Sequence, residues 1–262
     1  MEDLKIILNI FYEPTEELKT IIENNKDLYI PINGGSGLIE NEWCKEHLYF
    51  DNVGDNISRF NLILNEFTSI YWVWKHYEEI GNPEYIGFSH YRRLFPLDLI
   101  KDYKDYDCIF IKSINHKIGT SLNYAYEKCH NIEDLKIFCE ILKTVFPENL
   151  IKPFFNYLDK SHEFYAPYNM FILKKELFFN YVTIIFKLIP LLIEKINFKN
   201  RTKYQTRAIC FLMERFFSWY ALCLSAKYKT KQVQVEKHLN FKPYDLSTEN
   251  EKIIKLFKYK QT

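Results

Sequence analysis

Short apolar runs alternate with amphipathic segments in the first half of the chain, and this alternation most constrains its fold. Leu4–Tyr12 and Leu28–Ile32 are rich in Ile and typical of buried strands. Between them, a helix is predicted to reach about Asn25. The Thr15 hydroxyl can cap its first turn, and the acidic residues that follow favour the positive end of the helix dipole. Strands that alternate with helices predict an α/β domain.

The later elements continue this alternation and then become mostly helical. Strands are predicted at Tyr85–Ser89 and Tyr106–Lys112, and extended chain at 163–173. Helices are predicted at Arg59–Tyr77 with Ser58 as its cap, at Glu133–Val145, at Lys174–Ile196 and at Arg207–Lys227. No linker rich in Pro, Gly or Ser divides the 262 residues. We therefore expect one domain over 1–262, with 229–262 as a Lys-rich tail.

The overall charge and the cysteines exclude several classes of protein. The chain has 35 Lys and Arg against 34 Asp and Glu, which argues against a general nucleic-acid binder. Its six cysteines form no CxxC pair and lie mostly among apolar residues, so buried thiols in a reducing, cytoplasmic compartment are expected. The longest apolar run, Tyr181–Ile193, is shorter than the about 20 residues that a membrane span needs, so no transmembrane helix is expected.

A glycine-containing loop follows the second predicted strand. Its residues are Asn33, Gly34, Gly35, Ser36 and Gly37. Small residues let backbone N–H groups approach a ligand closely. The loop is neither a P-loop nor GxGxxG, so a plain turn is the alternative.

Two adjacent arginines follow the strand Tyr85–Ser89, in the order His90, Tyr91, Arg92, Arg93. Guanidinium groups suit phosphate because they can donate two parallel hydrogen bonds. Ion pairing at the surface is the alternative for the arginines. His90 suits a base, a donor to a diphosphate or a structural residue.

A polar stretch, Asp51–Ser58, lies between these two segments. Its amides, carboxylates and hydroxyl suit hydrogen bonds to sugar hydroxyls, and an Asx-rich turn with a helix cap is the alternative. Several aromatic residues just downstream suit stacking on a sugar or base, or a place in the core; they are Tyr71, Trp72, Trp74 and Tyr77.

Several motifs in one order resemble a bacterial polysaccharide glycosyltransferase family that was long catalogued as a domain of unknown function. They are Asp51-Asn52-x-Gly54-Asp55-Asn56-Ile57-Ser58, Asn61, Asn65-Glu66-x-Thr68, Tyr71-Trp72-x-Trp74-Lys75 and Tyr85-Ile86-Gly87-x-x-His90-Tyr91-Arg92-Arg93-x-Phe95. His-Tyr-Arg-Arg is the hallmark of that family. Tyr29–Ile32, Tyr168–Ile172 and Glu214-Arg215-x-x-x-x-Trp219 are similar to its other blocks.

The resemblance implies an α/β fold with a GT-A-like, Rossmann-related central sheet, helices on both faces and a helix-rich C-terminal half. It also implies transfer of a sugar, such as the hexofuranose galactofuranose, from a nucleotide diphosphate sugar, with UDP as the expected nucleotide. The implied acceptor is a growing capsule, exopolysaccharide or lipopolysaccharide glycan. A cytoplasmic enzyme, peripheral at the membrane face, would meet a lipid-linked acceptor of this kind.

Use of a divalent metal, Mn or Mg, is not supported by the sequence. GT-A enzymes usually hold the ion with Asp-x-Asp at a strand end, where this chain has His90 to Arg93. The Asp-x-Asp of Asp105 and Asp107 instead precedes a strand, which favours a surface turn.

The expected chemistry assigns roles to a few residues. A diphosphate leaving group gains negative charge, and we assign Arg92, Arg93 and His90 to stabilise it. A base must take the acceptor proton, and Glu214 is the first candidate, because it lies in an apolar helix where burial without a role is costly. An ion pair with Arg215 or Arg207 is the alternative for Glu214, and Asp55 is the second candidate base.

The remaining candidate residues are assigned to the nucleotide or sugar. They are Asn33, Gly34, Gly35, Asp51, Asn52, Asp55, Asn56, Tyr91 and Asn169. A non-catalytic carbohydrate-binding protein is the alternative function, and a hydrolase that uses Cys129 and His130 is the third. A basic amphipathic end at 252–260 suits an anionic membrane surface or packing on the domain.

Overall fold

The computed structural model describes residues 3–12, 14–35, 42–47, 49–112, 121–160 and 165–234. These residues form a mixed seven-stranded sheet in the order β3-β2-β1-β4-β6-β5-β7. The strands are Leu4–Ile10 (β1), Tyr29–Asn33 (β2), Tyr49–Phe50 (β3), Tyr85–His90 (β4), Cys108–Ile111 (β5), Phe171–Lys174 (β6) and Thr230–Val233 (β7).

The direction in which the chain winds reverses between β1 and β4. β1 is parallel to both β2 and β4, and β3 continues beyond β2, whereas β6 is antiparallel to β4 and β5. Ligands of open α/β sheets bind beyond the carboxyl ends of the strands at such a reversal. The topology therefore directs attention to the residues that follow β1 and β4.

Helices cover both faces of the sheet. Ten α-helices lie within the described residues: Glu16–Asn24 (α1), Glu42–His47 (α2), Asn61–Leu64 (α3), Glu66–Lys75 (α4), Leu122–Cys129 (α5), Ile132–Val145 (α6), Glu148–Asp159 (α7), Lys175–Lys195 (α8), Lys203–Thr206 (α9) and Ala208–Ser225 (α10). One cluster of buried hydrophobic residues packs α3–α8 and α10 on one face of the sheet. A second cluster packs α1 on the other face. The cap predicted for α1 is confirmed, since Thr15 Oγ1 accepts a hydrogen bond from the Leu18 N–H.

The single helix predicted at Arg59–Tyr77 is wrong. The segment begins with a 3₁₀ turn, Ser58–Phe60, continues as α3, and breaks at Asn65 before α4. Asn65 has φ 44° and ψ −119°, which interrupts the helical hydrogen bonds although the apolar spacing continues through it. Ser58 is not the predicted cap, because it is the first residue of the 3₁₀ turn, which has no side-chain cap; its hydroxyl donates to Asp51 Oδ1 at 2.5 Å.

Two further expectations change in the C-terminal half. The extended segment predicted at 163–173 contains a 3₁₀ turn, Pro167–Asn169, before β6 begins. The start of the predicted tail adds an edge strand, β7, which pairs with β5. The basic segment at 252–260 and its proposed membrane contact lie outside the described residues.

Helices α8 and α10 are long and apolar enough to cross a membrane by length and composition alone. Both contribute buried residues to the larger core cluster. Core helices of folded domains share this composition, so these helices are weak evidence for a membrane span.

Candidate functional site

A cavity of about 730 Å³ opens at the carboxyl ends of β1 and β4. Phe11 and Tyr12 follow β1, and Tyr91 to Arg93 follow β4. The break between α3 and α4 forms a second wall. The remaining wall combines α9 and α10 with Tyr165 and Tyr168. The cavity therefore occupies the place that the sheet topology indicates.

The cavity is cationic and aromatic. Five cationic side chains and two carboxylates line it among the described residues: Arg92, Arg93, Lys203, Arg207, Arg215, Glu66 and Glu214. Its aromatic residues are Phe11, Tyr12, Tyr91, Tyr165, Tyr168, Tyr204 and Phe211. A cavity of this composition suits an anionic ligand that also carries a ring for stacking.

His90 connects the end of β4 to the turn that precedes β6. Its Nε2 lies 2.6 Å from the carbonyl oxygen of Tyr168. Since a carbonyl only accepts, Nε2 carries the proton in this contact. Burial, together with Arg93 and Arg207, lowers the pKa of His90 against the opposing effect of Glu66. The lowered pKa favours the neutral imidazole, and the hydrogen bond to Tyr168 holds the turn against the strand.

The two arginines have different surroundings. Arg92 is exposed, and its guanidinium carbon is 5.0 Å from the centre of the Tyr91 ring. Arg93 is half-buried and stacks on Tyr168, with its guanidinium carbon 3.9 Å from the ring centre. The Nε atom of Arg93 is buried without a hydrogen-bond partner within the part of the chain that the structure describes. Their role towards a diphosphate stays a prediction.

Glu214 fastens helix α10 to the turn before β6. Its Oε2 accepts from the Tyr165 hydroxyl at 2.8 Å, and its Oε1 accepts from the Tyr168 N–H at 3.2 Å. Arg215 Nη1 lies 3.9 Å from Oε2. Burial raises the pKa of Glu214, and the charge of Arg215 opposes this shift. Both oxygens therefore have structural partners, although the side chain lines the cavity.

Asp51 is fully buried and acts as a structural acceptor. It accepts from the Gly35 N–H at 2.9 Å, from Ser58 Oγ at 2.5 Å and from Thr68 Oγ1 at 2.6 Å. These bonds join the loop after β2 to the 3₁₀ turn and to α4.

Asn52, Val53, Gly54, Asp55 and Asn56 lie outside the lining of the cavity. The Asn56 amide donates to the carbonyl oxygens of Asn52 and Gly54 and closes an Asx-rich turn. Asp55 accepts from the Tyr71 hydroxyl at 2.9 Å on the outer side of α4. The structure therefore does not bring Asp51, Asn52, Asp55 and Asn56 together with the arginines.

The described part of the glycine loop packs tightly against neighbouring side chains. A Cβ on Gly34 would lie 2.1 Å from Asn9 Oδ1, and one on Gly35, at φ 74°, would lie 2.6 Å from Asn61 Cγ. Asn33 is buried, and neither of its amide atoms has a hydrogen-bond partner among the described residues. Ser36 and Gly37 lie outside the described residues.

Glu66 is part of a matched motif but was given no role from the sequence; it lines the cavity and is only 6% exposed. Asn169, predicted to bind the nucleotide or sugar, is buried behind the lining and donates from Nδ2 to Glu66 Oε1 at 2.7 Å. A signal was present, because Glu66 is three residues after Ile63 and four before Ile70, on the apolar stripe of the helix pattern. A carboxylate in that stripe indicates a buried charge with a role.

Residues from distant parts of the chain complete the site. His130, at the end of α5, stacks on Phe211 with 4.1 Å between the ring centres. Burial, and then the charge of Arg215, lower its pKa to about 4.

His130 also lines a second cavity, of about 630 Å³. Of the aromatic residues left open between stacking and the core, Trp72 and Tyr77 lie in the core, where they are 2% and 5% exposed.

The donor set of the cavity does not fit a divalent metal. Within the described ranges, no group of three or more His, Cys, Asp or Glu side chains is placed to hold an ion. Asp107 pairs with Lys174 at 2.7 Å, and Asp105 ends the 3₁₀ turn Tyr103–Asp105; neither lines the cavity. The end of β4 carries guanidinium groups where an ion would need carboxylates.

Comparison with known proteins agrees with this architecture. The sequence model of the family described as "Domain of unknown function (DUF4422)" matches residues 18–225. The solved structure titled "WbbM bifunctional glycosytransferase apo structure" is similar with a TM-score of 0.71 and 21% sequence identity. The match covers 93% of this chain and 48% of that protein, so the chain spans about half of its length. This likeness shows that the fold is α/β and GT-A-like. No match was found among curated proteins.

Proposed function

Because the chain belongs to the DUF4422 family and has a GT-A-like fold, we propose that it is a glycosyltransferase. The donor is a nucleotide diphosphate sugar, with UDP as the expected nucleotide. The acceptor is a hydroxyl of a growing capsule, exopolysaccharide or lipopolysaccharide glycan. The transferred sugar is a hexose, and a hexofuranose such as galactofuranose is the first to test. The protein would act in the cytoplasm, at the membrane face where a lipid-linked acceptor lies.

The observation that carries the proposal is the cluster of arginines at the carboxyl ends of β1 and β4. Arg92, Arg93 and Arg207 line one cavity there, and the Nε atoms of Arg93 and Arg207 are buried without hydrogen-bond partners in the described part of the chain. Unsatisfied buried donors are costly unless a ligand accepts from them. A diphosphate supplies the acceptor oxygens and the negative charge that these groups match.

The proposed reaction assigns each group a task. Arg92 and Arg93 stabilise the charge that grows on the diphosphate as the bond to the sugar breaks. Tyr91 and the other aromatic residues offer faces on which a base or sugar ring can stack. Asn33, at the end of β2 and behind the lining of the cavity, has two amide atoms without partners among the described residues, and we assign it to the nucleotide. No step is assigned to a metal.

Calorimetric titration with UDP, followed by a turnover screen of nucleotide sugars, tests the proposal. Binding of UDP and release of UDP from one donor are expected, with no change on addition of a chelator. Arg92→Ala should weaken UDP binding, and Lys136→Ala, on the exposed side of α6, is the matched control. Glycan binding without any affinity for UDP would instead identify a carbohydrate-binding protein.

A further inference from the structure

Among the described residues, one carboxylate oxygen of Glu66 has a hydrogen-bond partner and the other has none. Oε1 accepts from Asn169 Nδ2, whereas Oε2 is buried and receives no hydrogen bond from the described residues. Leaving a buried acceptor unsatisfied costs about 1–3 kcal/mol, and more for a charged group. Since Glu66 lines the cavity, a ligand that donates a hydrogen bond to Oε2 would remove this cost.

The backbone around Glu66 is held in unfavourable conformations. Asn65, directly before it, has φ 44°, and Tyr168 and Asn169 have φ 67° and 51°. Tyr168 in this region costs about 1–3 kcal/mol, whereas Asn adopts a positive φ more readily; strain of this kind clusters at functional sites. The Asn61 amide donates to the carbonyl oxygen of Asn65 at 3.0 Å and supports the break. Without that break, Glu66 would be an interior residue of a longer helix instead of the first residue of α4.

The two carboxylates of the cavity therefore differ in what they can do. Tyr165 and Tyr168 occupy both oxygens of Glu214. Oε2 of Glu66 has no hydrogen-bond partner among the described residues, and Arg93 and Arg207 line the same cavity. Glu66 also interacts electrostatically with Arg207. Of the two, Glu66 is the group placed to receive a proton.

We propose that Glu66 is the catalytic base, an inference that rests on the proposed glycosyl transfer. Oε2 takes the proton of the acceptor hydroxyl, and the electron pair of that O–H bond stays on the acceptor oxygen. This oxygen forms a bond to the anomeric carbon, while the bond from that carbon to the diphosphate breaks and its electron pair leaves with the diphosphate. The product has the inverted anomeric configuration, and Glu66 then releases the proton to water.

The substitution Glu66→Gln tests this role with little structural change. The Gln oxygen can still accept from Asn169, so only the unpartnered atom changes from an acceptor to a donor. We expect kcat to fall by about 10²–10⁴-fold, with the KM of the donor and the Kd of UDP within about threefold of wild type. Glu140→Gln, on the exposed face of α6, is the matched control, and its turnover should equal that of wild type.

The outcomes separate this inference from the proposed function. A wild-type protein that turns over no nucleotide sugar overturns both. An active wild type with an equally active Glu66→Gln variant overturns only the role of Glu66, as does a product with retained configuration by NMR. If Glu66→Gln does not fold, Glu66→Ala with added formate decides: turnover that formate restores supports a carboxylate base at this position, and turnover that formate does not restore overturns this assignment.

Discussion

Replacing Glu214 by Gln should destabilise the protein more than it changes the chemistry. The carboxylate accepts from two donors, the Tyr165 hydroxyl and the Tyr168 N–H. A Gln side chain offers one oxygen and one NH₂ group. The Gln oxygen can accept from the Tyr168 N–H, while the Tyr165 hydroxyl loses its charged acceptor and can only turn to accept from the NH₂ group.

The magnitude follows from the type of bond that is lost. A hydrogen bond to a charged group contributes about 1.5–3 kcal/mol to the free energy of unfolding. For a domain of about this size, each kcal/mol changes Tm by about 2–4 °C. We expect Glu214→Gln to lower Tm by about 3–12 °C, measured by differential scanning calorimetry.

A double-mutant cycle with Tyr165→Phe isolates the contact. Each single variant already loses the hydrogen bond between the Tyr165 hydroxyl and the Glu214 carboxylate, so the sum of the two single effects counts this loss twice. The double variant should therefore lose less stability than the sum of the single variants, by about 0.5–3 kcal/mol. A Glu214→Gln variant with Tm within about 1 °C of wild type would refute the anchoring role.

Three further predictions concern the arginines, the buried aspartate and a histidine. Arg93→Ala should lower kcat by about 10²–10³-fold in a donor-turnover assay, and Arg93→Lys should not restore it, because an ammonium lacks the planar group that stacks on Tyr168. Asp51→Asn should lower the free energy of unfolding by about 1–3 kcal/mol in urea titrations, since three donors share its carboxylate; an unchanged value would contradict the structure. His130 has a lowered folded-state pKa, so its contribution is present above about 6.5 and is lost as pH falls to about 4. The free energy of unfolding should decrease over that range, and His130→Phe should decrease this dependence.

Periodicity and local chemistry were sufficient for much of the fold. The apolar runs gave β1, β2, β4 and β5 to within a few residues, and Thr15 is the cap that its position predicts. Local reasoning failed where tertiary contacts override it. The apolar spacing continues through Asn65, so only contacts from Asn61 and Cys210 reveal the break.

For the candidate site too, local sequence predicted some residues correctly and others not. The doublet Arg92-Arg93 after an apolar strand pointed to the cavity, because the carboxyl end of a strand can be inferred from the chain alone. The amides and carboxylates of residues 51–56 were also predicted to bind the ligand. Polar residues of these types serve turns as well as ligands, and a sequence does not distinguish the two uses.

The sequence by itself determined that this chain is an α/β domain in which two arginines, Arg92 and Arg93, follow a strand. It did so because strand and helix periodicities and residue charges are local properties. Only the tertiary structure decided which carboxylate has an oxygen without a hydrogen-bond partner among the described residues. Glu66 and Glu214 are 148 positions apart and line the cavity from different helices. Hydrogen bonds from Tyr165 and Tyr168 occupy one of them, and the break at Asn65 presents the other.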